Sequence, residues 1–303
     1  MSHAPAPGAD DPLSLTGVVP PTLTIFDDEE AVDLERTAAH ARYVVDRGAS
    51  GVFPLGTNGE FAMLDAAERD GVVEAVVDEV GGEVPVIAGV GAPSTRRAVR
   101  RAEAAQVTGA DGLVCVTPYY YAADDAGLVE HYRRLTGAVD LPVYVYHIPQ
   151  RAGVELALDV LDEIAQLDGI AGLKDTSKDV PWLAQAIARN PDLTFLSGSD
   201  ALQFAGLEVG CAGGVSGVAN AFPELVADLH AAYAEGDEAR AEDLQRTMFE
   251  VRQAIKRGPP MGGVKTALSL RGFEAGPLRS PLRRPHAETT AAIERDLEAT
   301  GLL

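Results

Sequence analysis

The chain has 303 residues, 46% of them hydrophobic, which is enough apolar material to bury a sizeable core at the upper end of what one domain holds. Its formal charge of −21 is spread along the sequence and would repel a phosphate backbone, which argues against nucleic acid as a partner. No run approaches the roughly 18 apolar residues of a membrane span, and the opening MSHAPAPGADDPLS lacks the basic and apolar regions of a signal peptide, so a cytoplasmic protein is expected.

Residues 1–14 read as a disordered lead-in. After them, short apolar runs bounded by glycine and proline recur: GVVPPTLTIF (17–26), GVFPLG (51–56), PVIAGV (85–90), GLVCVTP (112–118), PVYVYHIP (142–149), IAGLKD (170–175), TFLSGSD (194–200) and GGVSGVA (213–219). Helical patterns lie between them, such as AVDLERTAAHARYVVDRG and AAERDGVVEAVVDEVGG, each stopping at glycine as a helix end prefers. Strands that are apolar throughout and alternate with helices imply a parallel sheet covered on both faces. Eight such units predict an α/β fold, a (β/α)8 TIM barrel over 15–225. The tail holds ELVADLHAAYAEGDEARAEDLQRTMFEVRQAI and AETTAAIERDLEATG, too much for one more barrel helix, so 226–303 are expected to form C-terminal helices packed on the barrel.

Cys115 and Cys211 each lie inside an apolar run and read as buried free thiols. No CxxC or HxxxH spacing occurs, and His40, His131, His147 and His230 are scattered, so no metal site and no metal-dependent chemistry is expected. The acidic surface is of the kind found in salt-loving microbes, where a Debye length of roughly 3 Å at 1 M screens self-repulsion.

In a barrel the C-terminal ends of the strands carry the chemistry. Here they end in GTNGE, TPYYY, YHIPQR, KDTS, SGSD and GVAN. Lys174, one of only four lysines, closes an apolar strand. Burial disfavours its charge, and a neutral amine can attack a carbonyl carbon to form a Schiff base; an ion pair with Asp175 is the structural alternative. The GTNGE turn offers Thr57 and Asn58 as donors to a small anion, and it lacks the GxGxxG and GxxxxGK[ST] spacings of nucleotide sites. Tyr146, one strand before Lys174, can relay a proton if its phenol meets Thr57, or can simply pack. Three successive tyrosines, 119–121, cannot all face one core, so at least one is expected at the mouth or against another subunit.

Taken in order, GTNGE, VTPYYY, VYHIP, GLKDTS and SGSD resemble the dihydrodipicolinate synthase and N-acetylneuraminate lyase family of pyruvate-handling class I aldolases, over most of the chain. The resemblance implies that Lys174 forms the Schiff base with pyruvate's keto carbon and that Tyr146 is the general acid/base. It further implies a proton relay of Tyr146, Thr57 and Tyr120, the last reaching in from a neighbouring subunit, and hence a homotetramer built from dimers. Thr57 and Asn58 match the carboxylate-holding turn, although the family often has threonine or serine where Asn58 stands, which leaves its backbone N–H as the donor. Gly198 and Val215 match backbone contacts near the imine. No cofactor is implied, because the imine itself is the electron sink.

Within the family, PYYY, KDT and SGSD look most like archaeal aldolases that cleave 2-keto-3-deoxygluconate or its 6-phosphate to pyruvate and glyceraldehyde or its phosphate. Arg151 stands where dihydrodipicolinate synthases grip the carboxylate of aspartate semialdehyde, and its fork suits a carboxylate or a phosphate. An arginine that some phosphosugar aldolases carry after PYYY is replaced by Ala122 and Ala123. The expected activity is therefore a Schiff-base lyase cleaving the sugar acid, with 4-hydroxy-tetrahydrodipicolinate synthase as the alternative. Other pyruvate lyases and a silent binding barrel are the remaining readings.

Overall fold

The computed structural model describes Leu13 and residues 15–303. The lead-in expected to be disordered lies outside the described residues except Leu13, which is buried and whose carbonyl accepts the Tyr144 hydroxyl at 2.9 Å.

Seven strands form one all-parallel sheet: β1 (Gly17–Val18), β2 (Ile87–Gly89), β3 (Gly112–Val116), β4 (Val143–His147), β5 (Ile170–Asp175), β6 (Thr194–Ser197) and β7 (Gly213–Gly214). Their order is β1-β7-β6-β5-β4-β3-β2. The predicted strand at 51–56 is not one; it keeps a single parallel bridge, Val52 to Val86. Pro54, and the pair Pro20–Pro21 opposite it, remove the N–H groups that a regular ladder needs. Even so, this segment touches both edges of the sheet. The Ser50 and Phe53 amides donate to the Val18 and Pro20 carbonyls, while Ile87 and Gly89 donate to Val52 and Pro54. The sheet is thus a curled, TIM-barrel-like wall of seven parallel strands.

Side chains alternate across that wall. Leu113, Cys115, Val143, Val145, Leu173 and Phe195 pack outward into the helices. Val114, Val116, Tyr144, Tyr146 and Leu196 fill the inside. Register sets them in layers: Val116, Tyr146, Lys174 and Leu196 stand side by side on β3 to β6, above Val114, Tyr144, Gly172 and Thr194. Gly172 is required there, because a Cβ would sit 2.5 Å from the Tyr144 ring. Both cysteines are buried free thiols, as expected.

The helices are α1 (Leu34–Val45), α2 (Ala66–Val80), α3 (Thr95–Val107), α4 (Asp125–Thr136), α5 (Pro149–Ala152), α6 (Leu158–Ala165), α7 (Val180–Arg189), α8 (Gln203–Glu208), α9 (Pro223–Ala234), α10 (Glu238–Ile255), α11 (Gly262–Leu270) and α12 (Ala287–Ala299). Asp65 and Glu68 form a reciprocal capping box that starts α2. The boundary drawn at 225 falls inside α9, and the run 224–255 is two helices, divided where Gly236 takes a φ of 78°. Helix α11 carries no sequence signal, since it opens on two glycines; a Cβ on Gly263 would meet the Ile255 carbonyl at 1.9 Å, so glycine is what lets α11 lie against the end of α10. Val18, Leu23 and Ile25 share one apolar cluster with α9, α10, α11 and α12, which fixes the C-terminal helices to the wall. Among the described residues no helix is long and apolar enough to cross a membrane.

Candidate active site

Lys174 ends its strand on the inner face and is 4% exposed. Its Nζ lies 3.8 Å from the centroid of the Tyr146 ring and 5.0 Å from that of Phe53. It forms no ion pair among the described residues. Asp175 points the other way: its Oδ1 accepts His147 Nδ1 at 2.9 Å and its Oδ2 accepts the Ser177 hydroxyl at 2.9 Å. The alternative of a Lys174–Asp175 pair is therefore set aside. Burial pulls the Lys174 ammonium below its ordinary value, against the opposing influence of Tyr146 and Asp200.

Tyr146, the Cα partner of Lys174 across β4 and β5, is 4% exposed and reaches Thr57 Oγ1 at 3.5 Å. Burial is the largest influence on its phenol and pushes it up. The Lys174 charge and a set of hydrogen bonds, Thr57's first among them, outweigh burial and leave the phenol below its ordinary value. An amine and a phenol in contact, both held below their ordinary values, are placed to exchange a proton.

Thr57 and Asn58 stand on the turn between Leu55 and Glu60, both of which take positive φ. The turn spends the amides of Gly59 and Glu60 on its own carbonyls. Those of Thr57 and Asn58 donate to no acceptor among the described residues, so two N–H groups are unspent in residues that line the cavity. Behind the turn, Glu60 meets Lys265 of α11 at 3.1 Å, and both side chains are almost fully buried. Lys265 also donates to the Thr24 and Pro277 carbonyls, at 2.8 Å each, and is pulled down to about 8 by burial, with Glu60 opposing.

These groups open into one cavity of about 510 Å³. Thr57, Asn58, Tyr146, Arg151, Lys174, Gly198 and Val215 all line it. The amides of Gly198 and Val215 are already bonded, to Asp175 at 2.6 Å and Ser197 at 2.8 Å, so these residues have no N–H to offer a ligand. Tyr120 is apart: it is 84% exposed, takes a φ of 78°, packs on Tyr121 at 4.9 Å, and does not line the cavity.

Sequence reading missed the opposite wall. Arg252 on the last turn of α10 and Lys256 at its cap, with Lys178, join Arg151 around the opening, and none of the four forms an ion pair among the described residues. Gln245, two turns earlier on the same face of α10, ties that helix to the site by donating to the Asp200 carbonyl at 3.0 Å and accepting the Phe204 amide at 2.9 Å. Asp200 itself is buried and pushed up by that burial, and it takes the Ser216 hydroxyl at 2.7 Å. Three of the chain's four lysines thus line one cavity. Among the described residues no three His, Cys, Asp or Glu side chains gather as a metal site would require.

The arrangement supplies a buried amine, a phenol in contact with it, two free amides for a small anion, and a cationic far end. Known proteins resemble this chain over nearly its whole length. Residues 14–300 match the model of the dihydrodipicolinate synthetase family. A protein of Halobacterium salinarum described as an uncharacterized DapA-like lyase is 63% identical over 302 residues, covering 100% of this chain and 99% of its own. The 4-hydroxy-tetrahydrodipicolinate synthase of Natronomonas pharaonis is 37% identical over 290 residues, covering 94% of this chain and 98% of its own. Among solved structures, YagE of E. coli K12, a member of the dihydrodipicolinic acid synthase family crystallised with pyruvate, superposes with a TM-score of 0.92 at 30% identity, covering 95% of this chain and 99% of its own. On the strength of the match over nearly its whole length, the chain belongs to the dihydrodipicolinate synthetase family and is a lyase.

Proposed function

We propose that this protein is a Schiff-base lyase that cleaves 2-keto-3-deoxygluconate or its 6-phosphate to pyruvate and glyceraldehyde or its 3-phosphate. The observation that carries the reading is the pairing of an amine-and-phenol centre with an ion-pair-free cationic wall across one cavity. Such a cavity suits a keto acid with an anionic far end. The unspent amides of Thr57 and Asn58 hold the carboxylate of the substrate. Neutral Lys174 adds to the C2 carbonyl and loses water to give the iminium. Tyr146 gives its proton to the hydroxyl that leaves as water; the resulting phenolate takes the C4 hydroxyl proton, the C3–C4 bond breaks, and its electrons pass into the iminium to form an enamine while the aldehyde leaves. Protonation at C3 and hydrolysis release pyruvate and restore the amine. Arg151, Arg252 and Lys256 face the far end of the substrate.

Tyr120 completes the Thr57–Tyr146 relay from a second copy in this reading, as its exposure in the single chain supports, within a homotetramer of paired dimers. The same reading takes 50–54 as the eighth stave of a closed barrel, and the enzyme as cytoplasmic and adapted to salt. A second reading, condensation of pyruvate with aspartate semialdehyde, is favoured by Arg151 and by relatives that carry that synthase's name. The deciding experiment is pyruvate release in concentrated salt from the sugar acid and its 6-phosphate, with Lys174→Ala as the blank. No release from either, in a protein that still traps pyruvate under borohydride, rejects the aldolase and leaves the synthase to be assayed with aspartate semialdehyde.

A further inference from the structure

The last residues of β4 and β5 carry two pairs that face opposite ways. Tyr146 and Lys174 line the cavity. His147 and Asp175, the next Cα partners in the same register, follow Val145 and Leu173 onto the outer face, under the helices. Both are buried, and neither lines the cavity.

Every polar atom of the outer pair's side chains is committed. The Leu156 amide meets His147 Nε2 at 3.3 Å, and a backbone N–H can only donate. The ring proton therefore sits on Nδ1, which donates to Asp175 Oδ1 at 2.9 Å. The same carboxylate accepts the Ser177 amide at 3.1 Å and the Ser177 hydroxyl at 2.9 Å. Trp182 lies against the imidazole, ring centroids 4.6 Å apart, and its indole N–H donates to the Leu156 carbonyl at 3.1 Å. The imidazole is thus held at two edges and one face. Asp175 has no lysine or arginine partner among the described residues. Packing alone does not require this arrangement, because Val145 and Leu173 fill the same face without desolvating a carboxylate.

We infer that His147, Asp175 and Ser177 are positioning residues for the reaction: joined outside the wall, they hold the Tyr146 ring and Lys174 Nζ in their 3.8 Å contact inside it. A strand end can turn about its own axis, so fixing an outward side chain also aims the inward one beside it. The outer trio touches no substrate. It acts by limiting how far the amine and the phenol drift from the geometry in which a proton passes between them. This rests on Lys174 being the imine-forming amine, and it holds for either choice of second substrate.

The test is borohydride trapping of pyruvate by the full-length protein, measured as rate against pyruvate concentration. Asparagine and leucine branch alike at Cγ, but only asparagine places a donor nitrogen where Nδ1 stands. Both lose the ring's contact with Trp182, so His147→Asn against His147→Leu isolates the bond to Asp175. In His147→Leu the saturating rate should fall at least about tenfold. The half-saturating concentration should not change, because the turn at Thr57 and Asn58 is untouched. His147→Asn should return to within about threefold of wild type. Where His147→Leu does not fold, Ser177→Ala takes its place, removing one donor to the same carboxylate, and a fall of at least about threefold is expected. A wild-type rate in His147→Leu or its substitute, an asparagine variant no faster than the leucine one, or a loss confined to half-saturation overturns the inference and leaves the imine standing. A wild-type protein that traps no pyruvate removes the imine reading and the inference together.

Discussion

Replacing Gly198 by alanine tests how tightly the wall fixes the reactive amine. A methyl group there would lie 2.1 Å from Thr176 Oγ1, 2.8 Å from the Asp175 carbonyl oxygen and 3.0 Å from Lys174 Cε. All three fall inside the roughly 3.5–4.0 Å at which non-bonded heavy atoms pack best. The threonine hydroxyl can rotate away. The Asp175 carbonyl cannot, because it accepts the Gly198 amide at 2.6 Å and its retreat would loosen β5 from β6. The strain therefore passes to the lysine. Overpacking of this kind destabilises by about 1–3 kcal/mol, and displacing a reacting group by about 1 Å slows chemistry on the order of a hundredfold. Gly198→Ala should lower the urea unfolding free energy by about 2 kcal/mol and slow borohydride trapping of pyruvate by roughly ten- to a hundredfold. Wild-type trapping in a protein of unchanged stability would refute the claim that Gly198 sets the position of Lys174.

Lys265→Met leaves Glu60 buried without its cation and should cost about 3–5 kcal/mol in denaturant unfolding; adding Glu60→Leu should recover most of the loss, and failure to do so would mean the pair is not the cause. His40, His131 and His230 are each buried and pushed from 6.5 to about 4 by that burial. Between those values the unfolded chain binds more protons, so the stability they contribute is complete above pH 6.5, falls steadily as pH drops below 6.5, and is gone once pH has fallen through about 4. At about 1.36 kcal/mol per pH unit, each supplies about 3 kcal/mol, and urea midpoints that stay flat between pH 7 and 4.5 would contradict this. R252Q/K256Q should raise KM for the 6-phosphate at least about tenfold more than for the unphosphorylated sugar acid; an equal rise for both would show that these cations do not serve the far end.

Strands β3 to β6 were legible because a strand buried on both faces writes itself as an unbroken apolar run. Lys174, Tyr146, Thr57 and Asn58 were legible for a related reason: each is a polar residue at the end of such a run. The segment 51–56 has the same apolar look and fails as a strand because apolarity does not reveal that Pro54 and its proline neighbours lack donors. Lys178, Arg252 and Lys256 gave no signal, since in sequence they are isolated charges indistinguishable from solvated surface. Only docking of α10 against the loop at Asp200 brings them together. Glu60 was visible in GTNGE, but its partner lies on α11, a helix whose opening glycines conceal it.

Helix α10 stands outside the wall of strands, yet Arg252 on its last turn and Lys256 at its cap reach the cavity. On the proposed reading, bond-making and selecting groups occupy separate parts of the architecture: Lys174 and Tyr146 on β5 and β4, Arg252 and Lys256 on the last turn and cap of an appended helix that an apolar cluster and two hydrogen bonds of Gln245 hold in place. Divergence can then act on the helix alone. If the proposed chemistry holds, a lineage that redraws one face of α10 would change which far end is accepted and leave the groups on β4 and β5 as they are.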